Sequence, residues 1–319
     1  MVPERVVRDL AQPVRSLSGA AGAADLHAAI TRLLRDFSVE QTPAELARRS
    51  AFPAALPAGT HVYVTWIPGA ASARTVAAAA RVRELGMTPV PHLAARAVED
   101  AAALERLLLE LHREAGVEHL LLIAGSQRDP AGVFADALQL LATGLFDGAP
   151  WRSLGFAAHP EGSPAIDAAA LAHALAQKNA HAAATPVPHR LVTQFAFAGE
   201  PVVAWERQVR AAGNRLPVRV GLAGLASLPT LLRYAASCGV GSSTRALLHH
   251  GARAIRLAGS VAPGRIVAAV AHATLADAAT SFQGLHFYPF GSLDRTVDWA
   301  AAIAAGAFTL DAEGEDLVV

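Results

Sequence analysis

The chain has 319 residues, balances 27 Lys and Arg against 27 Asp and Glu, and contains one cysteine, Cys238. The neutral charge, with no basic stripe between aromatic residues, argues against a nucleic-acid partner. Charged residues or prolines interrupt every apolar stretch before the roughly 18 residues of a membrane span. The N-terminal segment lacks the apolar core of a signal peptide, and one cysteine cannot form an intrachain disulfide, so we expect a cytoplasmic protein with no membrane segment.

Eight short apolar runs alternate with Ala- and Leu-rich segments of helical period. The predicted strands are Phe37–Glu40, His61–Trp66, Thr88–His92, His119–Ser126, Leu154–His159, Leu191–Phe195, Val218–Gly221 and Leu285–Tyr288. The predicted helices are Asp25–Leu34, Pro43–Ser50, Thr75–Leu85, Val98–Ala115, Pro130–Leu145, Asp167–Ala183, Val202–Ala212, Leu228–Ser237 and Asp294–Ala305. This alternation predicts an α/β fold, a single (β/α)8 TIM barrel with an extra N-terminal helix.

The predicted barrel occupies residues 37–310. Residues 1–36 are expected to form an N-terminal extension whose helix covers the barrel floor, and residues 311–319 a C-terminal tail. Between the last two strands, the region Ser242–Ala279 is too long for one helix and is expected to form two or three.

Three helix starts carry recognisable capping chemistry. Thr42 precedes a proline at a first helical position, and Asp129 and Asp167 are predicted caps. The helix that follows Asp167 has an Ala-rich outer face, Ala168–Ala184, which is a candidate surface for a homo-oligomer.

The active site of such a barrel lies at the carboxyl ends of its strands. The side chains predicted to converge there are Glu40, Thr65, His92, Ser126, His159, Gln194 and Tyr288. Burial raises the pKa of a glutamate toward neutrality, which suits Glu40 to act as a general acid. The alternative, that Glu40 caps the next helix or pairs with an arginine, stays open. A histidine at a strand end is more often a hydrogen-bonding residue than a catalyst, which applies to His92 and His159.

No metal site is predicted, because the histidines at 173, 181, 189, 249 and 250 do not show zinc-ligand spacing. Gly221–Gly224 could cradle a phosphate, although close packing of small residues explains the glycines equally well. Trp66 could stack on a planar ligand or fill the top of the barrel.

Six short stretches in order give the chain a resemblance to the methylenetetrahydrofolate reductase family. They are FSVEQTP at 37–43, VTW at 64–66, PHLAAR at 91–96, HPEGSP at 159–164, TQFAF at 193–197 and HFY at 286–288. The resemblance implies an enzyme of one-carbon metabolism and methionine biosynthesis that interconverts methylenetetrahydrofolate and methyltetrahydrofolate. It also implies FAD as carrier of hydride from NADH or NADPH, and a folate as the small-molecule substrate.

The resemblance also implies roles for individual residues. Glu40 matches the acid that protonates the bridging nitrogen of the folate. The residues at cofactor-binding positions are Thr65, His92, Gly125, Ser126, His159 and Lys178. The residues at substrate-binding positions are Gln194, Tyr288 and Arg295.

Several family residues are replaced in this chain. Ser126 stands where the family has an aspartate, His159 where it has a tyrosine, and Leu171 near an aspartate that binds the cofactor's ribose. Ser292 replaces an arginine that grips the folate tail, and Arg295 lies close enough to substitute. Three hypotheses follow: an FAD-dependent reductase, a flavin-independent relative with direct hydride transfer from nicotinamide to folate, and a folate-binding protein without redox chemistry. The presence of Glu40 argues against the third, because binding alone needs no buried acid.

Overall fold

The computed structural model describes residues 22–238 and 262–319, in which eight parallel strands close into a barrel in chain order. The strands are β1 Ser38–Gln41, β2 His61–Val64, β3 Thr88–Ala94, β4 His119–Ile123, β5 Ser153–Ala158, β6 His189–Thr193, β7 Val218–Ala223 and β8 Phe282–Tyr288. Pairing of Ser38 with His286 joins β1 to β8 and closes the ring. The predicted (β/α)8 barrel is confirmed.

Helices follow the strands on the outside of the barrel. They are α1 Ala23–Leu34, α2 Pro43–Arg48, α3 Ser72–Glu84, α4 Ala101–Ala115, α5 Ala137–Leu141, α6 Ala168–Ala184, α7 Gly199–Ala211, α8 Leu228–Cys238, α9 Gly264–Ala276 and α10 Leu293–Ala304. The predicted extra helix is α1, which buries Leu26, Ile30 and Leu33 and packs against α9, α10 and β8. The rest of the N-terminal extension, residues 1–21, lies outside the described residues.

Alternate residues of each strand face opposite sides of the barrel wall. Val62 and Leu120 point outward into the core shared with the helices. Tyr63, Leu121 and Val192 point into the lumen, where they form a separate buried cluster. This buried cluster fills the middle of the lumen, so the inward-facing residues before and after it along the strands lie at the two mouths. The inward-facing residues at the carboxyl ends of the strands build the site described below.

The helix predicted at Pro130–Leu145 is wrong in its extent, because only Ala137–Leu141 is helical. The segment before it is held as a loop by Arg96, whose guanidinium donates to the carbonyls of Ala135 at 2.8 Å and of Gln127 at 3.0 Å. The cap is Asp136 rather than Asp129, since the Asp136 carboxylate accepts from two amides of the first turn.

Two other predicted helix starts are confirmed. The Thr42 hydroxyl accepts from the Glu45 amide at 3.3 Å while the Glu45 carboxylate accepts from the Thr42 amide at 2.8 Å, which is a capping box. Asp167 accepts from the Ala170 amide at 2.8 Å. Each cap satisfies backbone N–H groups that the first helical turn leaves without partners.

Two helices, α8 and α9, are described between β7 and β8, and residues 239–261 between them lie outside the described residues. The described part of the region Ser242–Ala279 contains one helix, α9, and the expectation of two or three helices over the whole region stays a prediction. After α10, strands β9 Thr309–Leu310 and β10 Leu317–Val318 form a hairpin, and β10 contacts α9. No helix within 22–238 and 262–319 is long and apolar enough to cross a membrane.

Candidate active site

The carboxyl end of the barrel holds a connected cluster of one carboxylate, two imidazoles and a hydroxyl. Glu40 Oε2 lies 3.1 Å from Nε2 of His92 and 3.8 Å from Nε2 of His286. On its other side, His286 Nδ1 lies 2.9 Å from Oγ of Ser38. His286 is fully buried, and the Glu40 side chain keeps 17% of its surface exposed. The Glu40 carboxylate is thus enclosed on the side of the lumen and accessible from the carboxyl-end mouth of the barrel.

Strand register brings these groups together. Ser38 and Glu40 are two positions apart on β1 and face the lumen together, and Ser38 pairs directly with His286 on β8. The Tyr63 ring lies beneath them, 4.5 Å from the His286 ring and 6.2 Å from the His92 ring between centroids. This aromatic layer fixes the orientation of both imidazoles and separates the cluster from the deeper lumen.

The pKa of Glu40 is the result of opposing effects. Burial raises it, but the charge of His92 and the contacts with both imidazoles outweigh burial and lower the pKa from 4.5 to about 2. The expectation of a pKa raised toward neutrality is therefore wrong, because it counted burial without the histidine partners. Burial also lowers the pKa of His286, which the carboxylate only partly offsets.

Tyr288 borders this cluster, and Gln194 follows β6 directly after Thr193, whose carbonyl Tyr288 contacts. The Tyr288 ring meets the His286 ring edge to face at 4.7 Å, and its hydroxyl donates to the Thr193 carbonyl at 2.9 Å. A Cβ at Gly221 would lie 2.2 Å from that carbonyl, so only glycine permits β6, β7 and Tyr288 to approach so closely. The Gln194 side-chain oxygen accepts from the next backbone amide at 3.1 Å, which places this amide group at the mouth.

An aromatic wall stands beside Tyr288. Its members are Phe195, Phe197, Tyr234, Tyr288 and Phe290. The Tyr234 ring, from α8, stacks on Phe290 with centroids 4.1 Å apart and an angle of 19° between planes. Phe290 has a positive φ of 51°, an uncommon conformation for a bulky residue. The sequence patterns did not predict this wall, in which Phe195 meets its aromatic neighbours edge to face.

A second group of polar side chains lies on the β5 side. Lys178, the single lysine of the chain among 26 arginines, extends from α6 with its Nζ 5.3 Å from the centroid of the Phe156 ring. Burial lowers the pKa of Lys178 to about 8, against an opposing effect of Asp136. Within the described residues no carboxylate lies at ion-pair distance from it. The nearby His159 has a buried Nδ1 without a hydrogen-bond partner, and burial together with the Lys178 charge lowers its pKa.

Four other predicted residues do not join the Glu40 cluster. The Thr65 hydroxyl donates to the Gln41 carbonyl at 3.3 Å. Gly125 has a φ of +92°, which suits glycine, and Ser126 is exposed at the end of β4. Arg295 is exposed on the first turn of α10.

Several buried polar atoms near the strand ends have no hydrogen-bond partner. They are Oε1 of Gln41, Nε1 of Trp66, Oε1 of Gln127 and Nδ1 of His159. Buried polar groups are normally satisfied, so these atoms are positions where ordered water or a ligand would be held. In the described parts of the chain no group of three His, Cys, Asp or Glu residues is arranged to hold a metal ion.

Sequence reasoning missed two members of the cluster, Ser38 and His286. The signal was present, because His286 and Tyr288 lie two positions apart in the HFY stretch, as Ser38 and Glu40 do on β1. In a strand this spacing places both residues of a pair on one face. Choosing the last inward residue of each strand together with the preceding one would have included both.

Comparison with known proteins identifies the family of the chain. The chain matches the methylenetetrahydrofolate reductase family over residues 44–288, from just after Glu40 to the end of β8. A structure from Clostridium thermocellum, described as an uncharacterized protein that binds two copies of 5-methyl-5,6,7,8-tetrahydrofolic acid, is similar with a TM-score of 0.52. The two are 11% identical, and the match covers 88% of this chain and 97% of that one, which supports the fold. The chain belongs to the methylenetetrahydrofolate reductase family.

Proposed function

We propose that the protein interconverts methylenetetrahydrofolate and methyltetrahydrofolate in the cytoplasm, with hydride supplied by NADH or NADPH through FAD. The observation that carries this proposal is the carboxylate of Glu40, enclosed by His92 and His286 at the mouth of a barrel of this family. Family membership supports an oxidoreductase, and a folate as the small-molecule substrate. A pure binding site has no need of a buried acid flanked by two imidazoles.

Glu40 is assigned the proton transfer. Opening the five-membered ring of the substrate requires a proton on its bridging nitrogen, and a carboxyl group at the open side of the cluster faces the incoming substrate. Because the pKa of Glu40 is low in the free protein, the carboxylate takes up a proton from solvent as substrate binds and excludes water, since desolvation favours the protonated form. The Ser38 hydroxyl, with its Oγ 2.9 Å from Nδ1 of His286, holds that imidazole in place beside the carboxylate.

The residues on the β5 side fit the phosphate groups of FAD. A half-buried ammonium without an acidic partner and an imidazole with an unsatisfied nitrogen form an arrangement that an anion would complete. Lys178 and His159 are thus assigned to the phosphates, and Thr65, His92, Gly125 and Ser126 to the ring system. When bound, FAD supplies a two-electron carrier between nicotinamide and folate.

The substrate side is assigned to β6 and β8. Gln194 and Tyr288 are assigned to the pterin, and the aromatic wall beside Tyr288 supports this assignment. Arg295, exposed on α10, is assigned to the carboxylate tail of the folate. These groups orient the bridging nitrogen toward the carboxylate of Glu40.

A visible absorbance spectrum, recorded before and after addition of excess FAD and desalting, tests the cofactor. Retained flavin bands, with oxidation of NADH or NADPH on addition of methylenetetrahydrofolate and methyltetrahydrofolate as the product, are the expected result. Absence of nicotinamide oxidation with either cofactor, in the presence and absence of FAD, would show that the proposed reaction is wrong.

A second candidate is direct hydride transfer from nicotinamide to folate without flavin. It is favoured by Leu171 and Ser126, which lack the carboxylates that the family uses around FAD, while the Glu40 cluster is complete. Nicotinamide oxidation by protein that retains no flavin would support this candidate. Binding of methyltetrahydrofolate without any nicotinamide oxidation would instead support a folate-binding protein.

A further inference from the structure

A group of basic side chains occupies the mouth of the lumen opposite Glu40. We call this group the floor cluster, and its members are His61, His119, Arg190 and Arg219. Each is the first or second residue of its strand, and three lie two positions before the lumen residues Tyr63, Leu121 and Val192. Because inward-facing residues recur every second position, the floor cluster faces the same lumen at its amino-terminal end.

Members of the floor cluster converge from opposite walls of the barrel. The rings of His61 and His119 have centroids 4.7 Å apart. After burial and His119, the charges of Arg190 and Arg219 further lower the pKa of His61, to about 3. Since β6 and β7 lie across the barrel from β2, both guanidinium groups must project into the floor. A Cβ at Gly284 would lie 3.4 Å from Nη1 of Arg219, so the glycine leaves space for this side chain.

The floor cluster is rich in donors, and the acidic groups that act on it, Asp36 on Arg219 and Glu118 on His119, do so without forming an ion pair among the described residues. Within residues 22–238 and 262–319, Arg190 makes no hydrogen bond or ion pair, and Arg219 donates to the Asp36 carbonyl. His119 Nδ1 lies 2.8 Å from the Ser153 hydroxyl, which leaves Nε2 available. No carboxylate in this part of the chain reaches ion-pair distance of any of the four members. Two partly buried guanidinium groups without an anion are unfavourable, and each offers a planar fork of donors.

We propose that the floor cluster binds a small tetrahedral oxyanion, either free phosphate or the phosphate group of a small molecule. Arginine forks and imidazole N–H groups match the oxygens of such an anion. Helix α1 packs against β8, α9 and α10, and the chain just after it reaches the edge of the cluster, where the Asp36 carbonyl accepts from Arg219. The site is separate from the folate end, and its existence does not rest on the proposed reaction.

Phosphorus-31 NMR and thermal unfolding of the complete protein test this site. Inorganic phosphate is titrated at constant ionic strength into wild type, Arg190→Gln and Arg106→Gln. Arg106 is the control, because it is exposed on helix α4, away from the floor. We expect a saturable rise in Tm and a broadened phosphate resonance in wild type and Arg106→Gln, with affinity about tenfold weaker in Arg190→Gln. Equal responses in all three proteins, or a rise in Tm that chloride reproduces, would overturn the proposal.

A second measurement covers the case in which Arg190→Gln fails to fold. Crystals of the wild-type protein are soaked in tungstate, and an anomalous peak between Arg190 and His61 is expected, whereas a floor without such a peak contradicts the site. Titration with glycerol 3-phosphate beside inorganic phosphate separates the two sources of the anion. Tighter binding of the ester assigns the site to a phosphorylated molecule, and tighter binding of the free ion assigns it to phosphate.

Discussion

At Glu40, burial and charge act in opposite directions on one carboxyl group. Burial alone would favour the protonated form, whereas His92 and His286 favour the carboxylate and lower the pKa to about 2. The sequence predicts a carboxylate at the end of β1. The partners that decide whether this carboxylate is protonated come from β3 and β8. The residue was predictable and its protonation state was not.

Replacing Glu40 by glutamine removes the transferable proton and keeps the size of the side chain. We expect turnover with methylenetetrahydrofolate to fall by about 10²-fold or more, because general acid catalysis is lost. Steady-state kinetics measures this, and Glu84→Gln is the matched control, since Glu84 is exposed and pairs with Arg81 on the outer helix α3. Turnover within a few-fold of wild type would mean that Glu40 is not the acid.

Lys178→Met tests the assignment of the single lysine to the cofactor. Methionine preserves the apolar stem against Phe156 and removes the positive charge, so retention of FAD after desalting should drop by about tenfold or more. Absorbance of the retained flavin measures this, with Arg106→Met on the exposed face of α4 as control. Equal retention by all three proteins would exclude a phosphate contact at Lys178.

The lowered pKa of His61 predicts that the folded protein loses stability in acid. The pKa of this imidazole is lowered from 6.5 to about 3 in the folded protein, so below pH 6.5 the unfolded chain binds the proton more tightly, and stability falls as the pH drops toward 3. Between pH 7 and 5 the free energy of unfolding should fall by roughly 2 kcal/mol more in wild type than in His61→Gln. Urea titrations in phosphate-free buffers measure this. The exposed His173→Gln is expected to behave as wild type, and identical pH dependence in all three proteins would contradict the prediction.

At the scale of elements, helix α6 buries none of its residues although it is the longest helix described. Its exposed side presents alanines at one-turn spacing, including Ala172, Ala176 and Ala180. A face of this kind suits close approach of a second helix, which agrees with the predicted homo-oligomer surface. The oligomeric state remains a prediction.

Ala176→Glu places a charge in the middle of this face. If α6 joins two copies of the chain, the substitution should shift the protein from a multiple of 33.0 kDa toward the monomer mass, because a carboxylate would lose hydration in the contact. Light scattering coupled to size-exclusion chromatography measures the mass. Gln177→Glu, one position along the helix, is the control, and a wild-type protein that is already monomeric rules out the interface.

The segment before α5 shows where reading elements from sequence fails. Asp129 followed by proline looks like a helix start, yet the chain continues as a loop until Asp136. Arg96, which comes more than thirty positions earlier, holds this loop through the carbonyls of Gln127 and Ala135. Helix propensity depends on neighbouring residues, so it cannot predict hydrogen bonds between residues so far apart in the sequence. By contrast, the starts at Thr42 and Asp167 depend on neighbours within three residues and were predicted.

At the scale of the whole molecule, barrel closure divides the lumen into two chemically different ends. A plug of Tyr63, Val90, Leu121 and Val192 separates the Glu40 cluster at one mouth from the floor cluster at the other. The acidic group lies among imidazoles at the first end, and two arginines that form no ion pair within the described residues lie at the second. We therefore expect phosphate at the floor and folate at the carboxyl end to bind independently.

The sequence by itself determined the barrel and the strand ends, because the alternation of apolar runs with helical segments is a local property of the chain. It also determined that Glu40, His92 and Tyr288 face one mouth, since strand ends in a parallel barrel share a side. Only the tertiary structure decided that Glu40 meets His286, which comes from the last strand, and that Arg190 and Arg219 meet His61 across the lumen. Those contacts join distant parts of the chain, and through short-range electrostatics they determine the protonation of each cluster.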